Sequence, residues 1–284
     1  LSIKEYKNVA YGLHGRNKLD AYIVKNETAP SPLVIFFHGG GYVGGEKETA
    51  VSTELMHDCL AAGISFVTCN YRFITTDPYP APMQDGTRAI QFVRSMAKEW
   101  GFDGQRIASA GSSAGGHIAL WNALNGDLAD PASPDPIERI SSDVTAFVGH
   151  ATQVSKDQRF YEPIYAGPHI QPNLTLFYGM SSLDELKQPD ILQLAEEASA
   201  ITYMSEHAPP AFMAYDFPLE GTTIPADASV DKVIHHPMHG YLLKQKYDQL
   251  GIPFTLRHAG DPVQKGEITR FLSNSDRRLP PQGM

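Results

Sequence analysis

Two short runs, Leu33-Val34-Ile35-Phe36-Phe37 and Ile64-Ser65-Phe66-Val67-Thr68-Cys69, constrain this chain more than any other feature. Both carry hydrophobic residues at odd and even positions alike. A strand with one wet face alternates polar and apolar residues, so a run that does not alternate is covered on both faces. The segments around these runs supply the cover. Residues 46–62 read as a helix that ends at Gly63, and residues 83–100 have helical periodicity and stop at Gly101. Further strand-like runs lie at 19–24, 106–110, 144–148, 211–215 (after Pro209-Pro210) and 254–258. Helix-like runs lie at 116–124, 239–250 and 267–273. The alternation predicts an α/β protein with a mostly parallel sheet and helices on both faces. Its functional site should lie beyond the C-terminal ends of the strands.

Residues from about 153 to 204 break the rhythm. They hold Tyr161, Tyr165, Phe177 and Tyr178, several prolines, and a helix-like run from 189 to 204. They read as an insertion over the site, a lid or substrate wall, within a single domain spanning 1–284. Hydrophobic residues make up 42% of the 284 positions and charged residues 19%, which describes a folded chain. The formal charge is −9 and no lysine or arginine run occurs, which argues against a nucleic-acid partner. No apolar run approaches membrane-spanning length, so a soluble protein is expected, cytoplasmic or exported after removal of a signal. Cys59 and Cys69 fall in a helix-like and a strand-like segment and read as buried small hydrophobes, not a disulfide.

The chemistry is carried by Gly111-Ser112-Ser113-Ala114-Gly115, a G-x-S-x-G sequence between a strand-like and a helix-like run. A serine on such a turn has its hydroxyl pushed outward, and the crowding requires small residues two before and two after it. Ser113 is therefore the candidate nucleophile. After an earlier strand comes His38-Gly39-Gly40-Gly41-Tyr42. Three consecutive glycines let backbone N–H groups converge on one point, as a tetrahedral oxyanion requires. The expected oxyanion donors are the N–H groups of Gly40, Gly41 and Ala114. His38 is expected to hold that loop in shape, and His117 to pack on the helix after Ser113.

These motifs resemble those of the α/β-hydrolase esterases of the hormone-sensitive-lipase-like and related carboxylesterase groups. The resemblance covers residues from about 33 to 125. It rests on His38-Gly39-Gly40-Gly41, Asn70-Tyr71-Arg72, Tyr79-Pro80-Ala81-Pro82 with Asp85, Gly101-Phe102-Asp103, and Gly111-Ser112-Ser113-Ala114-Gly115-Gly116-His117. It implies the α/β-hydrolase fold and hydrolysis of carboxylic esters through an acyl-enzyme. The aromatic residues of the 153–204 insertion point to short-chain, aryl or carbohydrate esters, and no cofactor is expected.

The resemblance also implies an acid after the seventh strand and a histidine after the eighth, and the chain departs from both. The segment before the 239–250 helix reads His235-His236-Pro237-Met238-His239-Gly240, and the loop after the last strand contains Asp261. Three readings remain open. A histidine of the 235–239 cluster serves as base with Asp261 as its partner; His258 is the base with Asp216 or Glu220; or no triad exists and the chain is a non-catalytic binding protein on the same fold. The reading adopted is the first, with His239 favoured because it begins a helix and His236 next. The cluster His235, His236 and His239 with Asp231 also invites a metal reading, but nothing fixes a third ligand and an open water position. No metal is expected.

Overall fold

The computed structural model describes residues 2–275. Eight strands form one sheet: β1 (Ser2–Ala10), β2 (Lys18–Lys25), β3 (Ser31–Phe37), β4 (Ser65–Cys69), β5 (Phe102–Ser112), β6 (Phe147–His150), β7 (Ala211–Ala214) and β8 (Phe254–Arg257). Their order is β1-β2-β4-β3-β5-β6-β7-β8. β2 runs antiparallel to both of its neighbours, and every pair from β4 to β8 is parallel. This is the α/β-hydrolase fold.

The non-alternating runs are explained by two cores, one on each face. Leu33, Ile35 and Phe37 enter one core, together with Val67, Cys69, Ile107, Phe147 and Met213. Val34 and Phe36, the residues between, enter the other, with Phe66, Ala108, Val148 and Phe212. Successive strand side chains point to opposite faces, so a strand serving both cores must be apolar throughout. The first core is covered by the helices Ala81–Ser95, Ser113–Leu124 and Met238–Leu250, the second by Glu54–Ala61 and Glu267–Asn274. Cys69 belongs to the first core and Cys59 to the second, so both thiols are free and buried on opposite sides of the sheet.

Three details differ from the sequence reading. The edge strand β1 was not anticipated, because its residues are mostly exposed and show no apolar face. The strand expected at 144–148 is Phe147–His150, which ends at His150. The 46–62 helix is a 3₁₀ turn, Lys47–Ser52, followed by the helix Glu54–Ala61. The 153–204 stretch forms the short helices Gln158–Tyr161, Leu174–Tyr178 and Pro189–Glu197. Leu174, Phe177, Tyr178, Ile191 and Ala195 from it pack into the first core.

Candidate active site

Ser113 is the first residue of the helix Ser113–Leu124 and follows β5 directly. Its φ is +49°, a left-handed conformation that a non-glycine residue adopts at a cost of about 1–3 kcal/mol and that marks tight functional turns. The turn is pressed against the end of β3. A β-carbon at Gly115 would lie 2.1 Å from the Phe37 carbonyl oxygen and 2.3 Å from that of His38. Only glycine fits there, which accounts for the last position of the G-x-S-x-G sequence.

The glycine loop lies beside this turn. Gly40 has φ +118°, and a β-carbon on it would sit 2.1 Å from the Gly44 carbonyl oxygen. The Gly40 carbonyl accepts from the N–H groups of Val43 (3.0 Å) and Gly44 (3.1 Å), closing the loop on itself. Among the described residues, no hydrogen bond uses the N–H of Gly40 or Gly41. Ala114 is the second residue of its helix, where backbone N–H groups have no intrahelical acceptor. His38 is buried, stacks on Tyr71 with ring centroids 4.5 Å apart, and keeps Nδ1 2.6 Å from the Gly39 carbonyl. The Tyr71 hydroxyl donates to the His38 carbonyl at 2.8 Å. His117 is buried and bonds the Tyr42 hydroxyl through Nδ1 at 2.7 Å. That contact ties the glycine loop to the helix that begins at Ser113.

The group that meets Ser113 is His235. Its Nε2 lies 2.9 Å from Ser113 Oγ, and its Nδ1 lies 2.8 Å from Asp231 Oδ1. Both come from one short helix, Val230–Ile234, with His235 capping its C-terminus. Ser229 caps the other end by accepting from the Lys232 N–H. Four residues is one helical turn, so the carboxylate and the imidazole face the same way. Val233 anchors the helix in a small core with Tyr161, Ile164, Ile224 and Met238.

The favoured histidine is elsewhere. His239 is buried, and its Nε2 is 2.9 Å from the Val233 carbonyl, with the Tyr161 ring edge-on beside it. At the start of its helix it is aimed at the backbone of the preceding helix, not at Ser113. Asp261 does not meet a histidine side chain: its carboxylate pairs with Arg257 at 2.6 Å. The loop it occupies folds back on its own strand, with His258 N–H donating to the Asp261 carbonyl. His236 Nδ1 accepts from the Met238 N–H, and His258 Nδ1 accepts from the Gly260 N–H. The three clustered imidazoles thus turn to three different partners.

Asp216 has a partner of its own. Its Oδ1 lies 3.1 Å from Nε2 of His150, whose Nδ1 is 3.4 Å from Ser112 Oγ. The sheet register sets this up, since Ser112 pairs with His150 and His150 with Ala214. Two histidine–aspartate pairs therefore flank the Ser112–Ser113 step, and the one that meets Ser113 is His235–Asp231. From sequence the 235–239 cluster was named with His239 favoured, whereas His235 is the member that meets Ser113, and Asp231 figured only as a possible metal ligand. The readable signal was Ser229 before Asp231-Lys232-Val233-Ile234-His235, a capped turn with acid and imidazole four apart.

Comparison with known proteins agrees with this architecture. A family model described as BD-FAE matches residues 19–218. The probable isoprenylcysteine alpha-carbonyl methylesterase ICMEL1 of Arabidopsis thaliana is 31% identical over 144 residues, 50% of this chain and 30% of that protein. Esterase LipI of Mycobacterium tuberculosis (strain ATCC 25618 / H37Rv) is 40% identical over 93 residues, 33% of this chain and 29% of that protein. The chain thus spans about three-tenths of the length of these relatives. A truncated form of a carbohydrate esterase from gut microbiota superposes with a TM-score of 0.74 and 19% identity, covering 96% of each chain, which is a likeness of fold.

Proposed function

The chain belongs to the BD-FAE family, and we propose that it is a serine esterase with Ser113 as nucleophile, His235 as base and Asp231 as the acid that orients it. The observation that carries this reading is the continuous relay Ser113 Oγ–His235 Nε2–Nδ1–Asp231 Oδ1, at 2.9 and 2.8 Å. The esterase names borne by the relatives ICMEL1 and LipI support the reaction class. The family match ends at residue 218, before both relay partners, so their roles rest on geometry.

In the productive tautomer, His235 Nδ1–H donates to Asp231 and Nε2 accepts the Ser113 proton. Ser113 Oγ attacks the ester carbonyl, and the carbonyl oxygen becomes an oxyanion. The N–H groups of Gly40, Gly41 and Ala114 receive that charge, a contribution of roughly 10²–10³-fold per donor. The protonated His235 then gives its proton to the departing alkoxide, leaving an acyl-Ser113. Water enters and its oxygen adds to the acyl carbon as His235 takes its proton; the bond from that carbon to Ser113 Oγ then breaks, the carboxylic acid leaves, and the proton returns to Ser113 Oγ. Ser112, His150 and Asp216 beside the nucleophile form a polar, exposed border, which favours esters whose alcohol carries hydroxyl groups. The carbohydrate-esterase title of the structural neighbour is compatible with that preference. The 153–204 stretch serves as the wall over the glycine loop, where Asn173 Nδ2 donates to the Gly41 carbonyl at 3.4 Å.

The test is hydrolysis of p-nitrophenyl acetate with stoichiometric labelling of Ser113 by an organophosphate. Ser113→Ala should abolish both. A wild-type protein that neither hydrolyses short esters nor is labelled would instead be a binding protein on this fold.

A further inference from the structure

Behind the glycine loop lies an amine that the reaction above does not use. Lys156 follows β6, is 4% exposed, and donates from Nζ to Gln153 Oε1 at 2.8 Å. Among the described residues, no carboxylate lies within ion-pair distance of Nζ, although a buried ammonium ordinarily demands one. Its own neighbour Asp157 is turned to Arg159 instead. What Nζ has in exchange are two ring faces: it stands 4.9 Å from the centroid of Tyr42 and 5.4 Å from that of Phe177. Those rings pack edge to face with centroids 5.2 Å apart.

Tyr42 is the residue at which the glycine loop is held. It follows Gly41, has φ +64°, and its hydroxyl bonds His117 one turn along the nucleophile helix. The main chain of Lys156 is fixed from both directions, its carbonyl by the Tyr178 hydroxyl at 2.8 Å and its N–H by Ser199 Oγ at 3.0 Å. The ammonium is therefore delivered to the Tyr42–Phe177 pair by a rigid mount.

Resting on the esterase reading, we propose that Lys156 is a positioning residue whose ammonium clamps Tyr42 against Phe177 and so holds the Gly40–Gly41 N–H groups where an oxyanion forms. The clamp is a charge on two aromatic quadrupoles, so it exists only while the amine is protonated. Burial pushes the Lys156 amine down to about 7, which brings its loss of charge into the working range. The other titratable groups that face it are His117 on the nucleophile helix, His239 on the Met238–Leu250 helix, Tyr42, Tyr161 and Tyr178. Burial keeps both histidines neutral throughout that range and raises all three phenols. Lys156 is thus the member of this cluster that changes charge near neutrality.

The experiment compares wild type with Lys156→Met and Lys156→Arg. kcat and KM for p-nitrophenyl acetate are measured from pH 5.5 to 9, per site titrated with organophosphate, so that unfolded protein does not count. Wild-type kcat should fall about tenfold as the clamp is lost above neutrality, with KM steady. Lys156→Met should show the low kcat at every pH, and Lys156→Arg the high kcat to pH 9. Amide exchange of Val43 and Gly44, whose N–H groups close the loop on Gly40, gives a readout independent of turnover. It should be about tenfold faster in Lys156→Met, matching the lost contact. Unchanged Val43 and Gly44 exchange in Lys156→Met, or a wild-type pH profile retained there, overturns the clamp. Altered exchange in a protein without esterase activity would instead sustain the clamp and remove the esterase reading.

Discussion

Asp231 and His235 stand one helical turn apart and are joined at 2.8 Å, and the far nitrogen of the same imidazole is 2.9 Å from Ser113 Oγ. His239, four residues on and in the next helix, turns instead to the Val233 carbonyl. The two histidines should therefore fail differently. His235→Ala removes the proton carrier and should lower kcat at least roughly 10³-fold with little change in stability, the scale of losing a triad member. His239→Ala empties a buried site and frees the Val233 carbonyl, which should cost about 1–3 kcal/mol in urea unfolding. Its kcat per titrated site should fall far less. If His239→Ala shows the larger loss of kcat in folded protein, His235 is not the base.

The second histidine–aspartate pair supplies a control. Asp231 orients His235, whereas Asp216 orients His150, which bonds Ser112 and not Ser113. Asp231→Asn should reverse the favoured tautomer and lower kcat by roughly 10²-fold or more. Asp231 is 68% exposed, so water takes over part of its role and the loss should be smaller than for a buried acid. Asp216→Asn should leave kcat on p-nitrophenyl acetate within about twofold and act on KM for esters with hydroxylated alcohols. Equal losses in kcat from the two substitutions would mean that both pairs serve Ser113.

The turn that carries Ser113 was legible because its requirements are local. A strand, a crowded turn and a helix are adjacent in sequence, and Gly115 is forced by contact with Phe37 and His38. The central strands were legible because two cores demand apolar residues of both parities. The histidine and aspartate that meet Ser113 were not, for a physical reason. Val230–Ile234 is a five-residue helix, too short for periodicity, and tertiary packing of Val233 sets its direction. An acid was expected in the loop after the last strand, at Asp261, but that loop closes on Arg257. β1 escaped notice because an exposed edge strand has no buried face to write into its sequence.

Arg72 and Asp85 join the end of β4 to the helix Ala81–Ser95. The carboxylate takes the Arg72 Nε and Nη2 at 2.8–3.1 Å and the Arg72 backbone N–H at 2.7 Å. Asp85 is 5% exposed by its side chain and Arg72 24%, so the pair is largely desolvated. Asp85→Asn keeps the volume but leaves the guanidinium with only its longer, part-exposed contact to Asp77 at 3.7 Å. Removing one partner of a buried pair costs about 3–5 kcal/mol, and the partial exposure of Arg72 brings the expected loss to about 2–4 kcal/mol. Urea unfolding measures it. A loss under about 0.5 kcal/mol, the ordinary range of surface substitutions, would show that the pair is not structural.

Stability should fall in acid for a reason that can be isolated at His239. Burial, opposed only in part by the hydrogen bond to the Val233 carbonyl, pushes this imidazole down to about 3. In the unfolded chain it titrates near about 6.5. Between those values the unfolded state holds a proton that the native state refuses, so unfolding takes up a proton and stability rises with pH. The contribution is complete above the unfolded value and is lost as pH falls from about 6.5 toward the native one, at about 1.4 kcal/mol per pH unit. His117, also pushed well below its ordinary value by burial, adds a slope of the same sign. His239→Gln removes one of these protons while keeping a polar group for the Val233 carbonyl. Its unfolding free energy, measured in urea at pH 6, 5 and 4, should therefore decline less steeply than that of wild type, by about 1.4 kcal/mol per unit. Parallel declines for the two proteins would mean that His239 is protonated in the native state and is not held neutral by burial.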